Sequence, residues 1–174
     1  MDRKINYYNL PNTDGNKTFK ERFDDLKPIL DDIWMSYHKI DNINVLDIGC
    51  AEGLITNTIY QNYTKNITGI ELSIHRIKKA KELYPYIKFI NADINTWGFN
   101  QNFDIILFLG VFHFLPKKNR AGVLNEIMKH SRIVIIRTNY YRFVDVLKYI
   151  KYDFNMYIKR YNFSALIVLI RLDK

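Results

Sequence analysis

Three acidic side chains and a glycine-containing turn carry the first chemical signal in this chain. The stretch Val45-Leu46-Asp47-Ile48-Gly49-Cys50-Ala51-Glu52-Gly53 is a short apolar run that passes into glycines and then into a helical pattern. Glycine lets backbone approach a ligand with no Cβ in the way, and the N–H groups that open the next helix lie at the positive end of its dipole. A turn of that kind suits a nucleotide-like ligand. Glu71 closes the next apolar run, 22 residues past Gly49, where a carboxylate can accept hydrogen bonds from ribose hydroxyls. Asp93, in Asn91-Ala92-Asp93-Ile94, follows the third run and falls on the same edge.

A second group of residues follows the fourth and fifth apolar runs. In Leu109-Gly110-Val111-Phe112-His113-Phe114-Leu115-Pro116 the one titratable side chain is His113, a candidate general base because an imidazole titrates near working pH. The alternative is a packed loop histidine. Lys117-Lys118-Asn119-Arg120 continues that loop, and Arg137-Thr138-Asn139-Tyr140-Tyr141-Arg142-Phe143 leaves the fifth run. Guanidinium forks bind phosphate or carboxylate and aromatic rings stack on planar groups, so Lys117, Arg137, Tyr140 and Arg142 are the candidates for holding an anionic acceptor. The same residues also read as helix entry and packing. With one cysteine and four scattered histidines, neither an internal disulfide nor a zinc site is expected.

The elements that must position these residues follow from periodicity. Short β-branched runs alternate with amphipathic stretches from Asn44 onward, the pattern of βαβ units on a parallel sheet. Strands are predicted at Val45 to Ile48, Ile67 to Glu71, Ile87 to Asn91, Ile105 to Leu109, Ile133 to Arg137, Met156 to Tyr161 and Ala165 to Ile170. Helices are predicted at Leu54 to Asn62, Ile74 to Tyr84 with Ser73 as its N-cap, Lys118 to Lys129 and Tyr141 to Tyr152. Only Asn162 and Phe163 separate the last two strands, too few for a crossover, so an antiparallel hairpin at the sheet edge is expected. The expected fold is α/β: a doubly wound, mostly parallel seven-stranded sheet with helices on both faces. Residues 1–43 are expected to form a helical and loop extension on a core of residues 44–174, with the helix interrupted near Pro28.

The 174 residues fit one globular domain. Neither a membrane span nor a signal peptide is expected, which predicts a cytoplasmic protein. Charge is uneven: Lys and Arg number 13 against 14 Asp and Glu over residues 1–116, and 13 against 4 over residues 117–174. The whole excess of +8 lies in the last third, which suggests an anionic partner or a lysine-rich solvated surface.

From Asn44 to Arg137 the chain resembles the class I S-adenosylmethionine-dependent methyltransferases, whose first strand ends in an acid-x-Gly-x-Gly-x-Gly turn. Here that turn is Asp47-Ile48-Gly49-Cys50-Ala51-Glu52-Gly53. The resemblance implies S-adenosylmethionine as cofactor, with Asp47 orienting the turn and the ammonium and Glu71, followed by Leu72, on the ribose. It further implies that Asp93 and the Ile94 backbone read the adenine, that Gly110 lies near the methionine moiety, and that Gly49, Cys50, Ala51 and Gly53 form the cradle. Ala51 departs from the usual glycine and is expected to exclude a backbone conformation that only glycine holds.

An NAD-binding fold shares this logic but lacks support: the Gly-x-Gly-x-x-Gly spacing is missing, and Asp47 would repel a pyrophosphate while suiting a cationic amine. After the fourth strand there is no Asn-Pro-Pro or Asp-Pro-Pro motif of amino-nitrogen methylation, and there is no Pro-Cys nucleophile. The expected function is methyl transfer to an anionic acceptor, RNA or a small phosphorylated or carboxylated metabolite. The alternative is a catalytically silent S-adenosylmethionine-binding partner or scaffold; an oligomer is possible but not indicated.

Overall fold

The computed structural model describes residues 19–36, 42–139, 143–160 and 164–172. It falls into two compact units, residues 1–40 and 41–174. In the first, helix α1 spans Phe19–Ser36 and carries Leu26, Leu30 and Ile33 at four- and three-residue spacing. Sequence reasoning expected a break at Pro28, whose ring removes a donor and crowds the carbonyl of Asp24. The helix instead runs through Pro28 without interruption. The first residues, read as loop, lie outside the described residues.

In the second unit β1 spans Val45–Ile48, β2 Ile67–Glu71, β3 Lys88–Asn91, β4 Phe103–Leu109, β5 Ser131–Asn139, β6 Phe154–Arg160 and β7 Ser164–Arg171. They form one sheet in the order β3-β2-β1-β4-β5-β7-β6. The first five pair in parallel, and β7 is antiparallel to both β5 and β6, so the expected terminal hairpin is present with β6 on the edge. Its connection at Asn162 and Phe163 lies outside the described residues.

Helices α2 (Leu54–Asn62), α3 (Ile74–Leu83), α4 (Arg120–Lys129) and α5 (Phe143–Leu147) occupy the crossovers. Alternation along the strands sends side chains to two faces. Leu46, Ile48, Ile106, Phe108, Val134, Ile136, Ile167 and Leu169 share a buried cluster with Val123, Leu124, Ile127 and Met128 of α4. The intervening Asp47, Leu107 and Ile135 are buried on the other face, where Asp47 meets Thr56 of α2. Ser73 caps α3 as expected, its hydroxyl accepting from the Arg76 N–H at 3.4 Å.

One helix differs from expectation. Within the described part of the Tyr141 to Tyr152 pattern the helix is α5, which stops at Leu147, and the backbone beyond it is held from α4. The Asn125 side chain donates to the Tyr149 carbonyl at 2.8 Å and accepts from the Lys151 N–H at 3.0 Å. Backbone groups that would have extended α5 are thereby satisfied outside a helix.

Candidate functional site

The strand order reverses between β1 and β4, and the glycine turn sits at that reversal, where open α/β sheets form their ligand crevice. Gly49 and Cys50 both donate to the Ile70 carbonyl, at 2.8 and 3.1 Å, and the Gly53 N–H returns to the Cys50 carbonyl at 2.9 Å. Gly49, Ala51 and Gly53 all have positive φ, of 75°, 52° and 82°. At Gly49 an added Cβ would lie 2.4 Å from Cγ2 of Val111, so the loop after β4 closes directly on the turn and leaves no room for a side chain. Ala51 takes the left-handed conformation, which an alanine holds at a cost of about 1 kcal/mol.

Asp47 is buried at 3% exposure, and its Oδ2 accepts from the Thr56 hydroxyl at 2.6 Å. Burial pushes its carboxyl up to about 6; the Thr56 hydrogen bond opposes the shift and the Glu71 charge adds to it. Glu71 is also buried, and its carboxylate braces the site from two directions. Oε2 accepts from the Ala51 N–H at 3.2 Å and Oε1 from the Ser73 N–H at 2.8 Å. A carboxylate has about four lone-pair positions, so two remain for hydroxyls. Asn91 donates to the carbonyls of Glu71 and Leu72, both at 2.9 Å, locking the ends of β2 and β3 together.

Asp93 is half-buried and opens a turn: Oδ1 accepts from the Asn95 N–H at 3.0 Å and from its side chain at 2.6 Å. The half-buried Ile94 follows it, while Leu72 is exposed beside Glu71. The Cys50 thiol sits where a Cβ on Gly69 would lie 2.8 Å from its sulfur. Burial first, then the Asp47 and Glu71 charges, push that thiol far up, which leaves it a filler rather than a nucleophile.

Beyond β4, Gly110 has φ +76° and an added Cβ would meet nothing within 4 Å, so open space faces its backbone. His113 is half-buried on the 3-10 turn Phe112–Phe114, its ring 4.1 Å from that of Phe114. Lys117 is exposed at the head of the next 3-10 turn. Arg137 does not leave the sheet: β5 continues to Asn139, placing Arg137 opposite Leu109 and 9% exposed. Tyr140 and Arg142 lie outside the described residues. The structure thus ties Glu71 to the turn through the Ala51 N–H and Asp47 to Thr56 on the helix that follows it, with Val111 against Gly49. Sequence reasoning missed Thr56 and Val111; Thr56, a hydroxyl among the apolar positions of α2, left a trace that could have been read.

A family model described as a methyltransferase domain matches residues 45–132. Trans-aconitate 2-methyltransferase of Azoarcus sp. strain BH72 is 26% identical over 93 residues, covering 53% of this chain and 36% of that protein. The putative methyltransferase 235L of Invertebrate iridescent virus 6 is 26% identical over 177 residues, covering 86% and 64%. The chain therefore spans less than two thirds of the length of these relatives. The crystal structure of the N-methyltransferase NodS from Bradyrhizobium japonicum WM9, in complex with S-adenosyl-L-homocysteine, shares the fold. It has a TM-score of 0.71 at 17% identity and covers 91% of this chain and 90% of that one. Among the described residues no helix is long and apolar enough to cross a membrane. The matched segment opens on the first residue of β1 and closes within β5, taking in the turn, its acids and the β4 loop, and the chain belongs to the methyltransferase-domain family.

Proposed function

We propose that this chain binds S-adenosylmethionine at the β1 turn and transfers its methyl group to a small carboxylated acceptor. The observation that carries the reading is that two buried acids flank one turn, Glu71 accepting from its Ala51 N–H and Asp47 accepting from Thr56 on the helix that follows it. The residues present fit the cofactor. Asp47 supplies the negative charge an ammonium requires, Glu71 keeps lone pairs for two ribose hydroxyls, and open space at Gly110 admits the methionine chain. Asp93 and Ile94 flank the adenine side.

S-adenosylmethionine supplies an electrophilic methyl together with its own leaving group. The chain's remaining tasks are to orient the acceptor, exclude water and take up a proton where the acceptor carries one. His113, on the loop whose Val111 meets Gly49, is assigned to accept that proton. Lys117, Arg137, Tyr140 and Arg142 are assigned to the acceptor's negative charge. The name of the Azoarcus relative supports a small carboxylate over RNA.

Asp47→Asn is the cleanest test, because it keeps the shape of the side chain and an acceptor for Thr56. Gly49→Val would also crowd Val111 and confuse folding with binding. Calorimetry should show affinity for S-adenosylmethionine reduced about tenfold or more in Asp47→Asn, as expected for a lost charge-assisted contact. Incubation with methyl-labelled donor should label a metabolite fraction and not RNA. Unchanged affinity in Asp47→Asn, or label in RNA alone, overturns the assignment.

A further inference from the structure

Arg120, the first residue of α4, is only 5% exposed. A guanidinium carries five N–H donors. Among the described residues its hydrogen bonding consists of one contact, Nε to the Leu115 carbonyl at 3.3 Å, while its Cζ lies 4.9 Å over the Phe112 ring. Among the described residues no carboxylate forms a salt bridge with it. On α5 Asp145 is taken by Lys148, and Lys148 itself feels the Arg120 charge. The Nη nitrogens are not among the side-chain atoms sealed from solvent without a partner, so the open end of the fork keeps a path to water.

A buried cation without a counter-charge is costly, by several kcal/mol when a partner is removed from such a pair. Arg120 also stands at the N-terminus of a ten-residue helix, whose dipole adds positive potential at that point. Leu115 and Phe112, the two groups it touches, belong to the same short loop as Val111, which packs on Gly49. The arginine is therefore tied to the same loop that meets the glycine turn.

We infer that Arg120 is an anchor for a carboxylate of the methyl acceptor, the planar fork engaging it through the two Nη donors while Leu115 and Phe112 hold the guanidinium in place. This rests on the methyl-transfer reading above and deepens it. The fork matches carboxylate and phosphate alike; a carboxylate is named because it is the acceptor class proposed above, and the inorganic phosphate arm of the test separates the two.

The test uses the ligand-free protein and its melting temperature with trans-aconitate as probe, against sodium chloride at equal ionic strength. Three chains are compared: wild type, Arg120→Met, which keeps a long apolar stem on Phe112, and Arg120→Lys, which keeps the charge and loses the fork. Wild type should be stabilised by trans-aconitate, and the apparent affinity should fall about tenfold or more in Arg120→Met and by an intermediate factor in Arg120→Lys. Should Arg120→Met fail to fold, the intermediate drop in Arg120→Lys decides. Absence of any response in wild type beyond that to chloride, an undiminished response in the variants, or an equal response to inorganic phosphate overturns the inference. Calorimetry with S-adenosylmethionine separates the two readings: an intact anion response without cofactor binding sinks the methyl-transfer reading, and the reverse sinks Arg120 alone.

Discussion

Asp47 is held in a state that opposes stability at neutral pH. Its carboxyl ionises at about 6 in the folded chain and at about 3.9 when unfolded, so between those values the folded state holds a proton that the unfolded state has lost. Stability contributed by this group is highest below about pH 4 and falls as pH rises through 6, to a cost of about 3 kcal/mol above it. Asp47→Asn should therefore raise the melting temperature at pH 7.5, by roughly 2–4 °C for each kcal/mol recovered. The gain should shrink toward zero near pH 4, in a thermal melt series across pH. A constant difference at all pH values would show that the carboxyl is not perturbed. The same variant loses the charge assigned to the cofactor's ammonium, so binding and stability should move in opposite directions. Asp47, Glu71 and the glycines were legible because their spacing is fixed by the strand-turn-helix path. The raised ionisation was not, since it depends on Thr56 and on burial that only the folded sheet creates.

At the scale of elements, local pattern placed the strands well, and the departures came from partners far along the chain. The three- and four-residue spacing after Tyr141 is a sound helical signal, and β1, β2 and α2 lie where their own patterns put them. Beyond Leu147 the backbone of residues 149 and 151 is held by the amide of Asn125, 24 residues before Tyr149. No window centred on that segment contains it. Asn125→Ala removes both hydrogen bonds and should destabilise the chain by about 1–3 kcal/mol. Hydrogen exchange should quicken at Lys151 while Ile135 on the central strand β5 stays protected. Exchange unchanged at Lys151 would mean the segment is held by its packing and not by this side chain. In α1 the local rule failed in the other direction, a proline being tolerated inside a continuous helix.

Over the whole molecule the charge excess of the last third suggested an anionic partner, but the structure divides those cations into two kinds. Arg120, Arg137 and Arg171 are buried. Arg171 donates to the Met128 and Lys129 carbonyls at 2.8 and 3.1 Å, closing the C-terminus of α4 while stacking over Tyr152. Lys117, Lys118, Arg132, Lys148, Lys151, Lys159 and Arg160 are exposed, spread from the 3-10 turn before α4 to β5, the segment after α5 and β6. Exposed cations act through a field that salt screens within about 10 Å at 0.1 M, whereas buried ones are screened much less. Adsorption of RNA to the exposed set should therefore weaken at least about tenfold between 50 and 200 mM salt, as counterions replace phosphate contacts. The melting shift produced by trans-aconitate, if it arises at Arg120, should weaken by less than about threefold over the same range because that charge is enclosed. Filter binding and thermal melts across one salt series measure both. RNA retention that survives 200 mM salt while the tricarboxylate shift disappears would place the acceptor on the outer surface and leave the buried arginine a structural clamp.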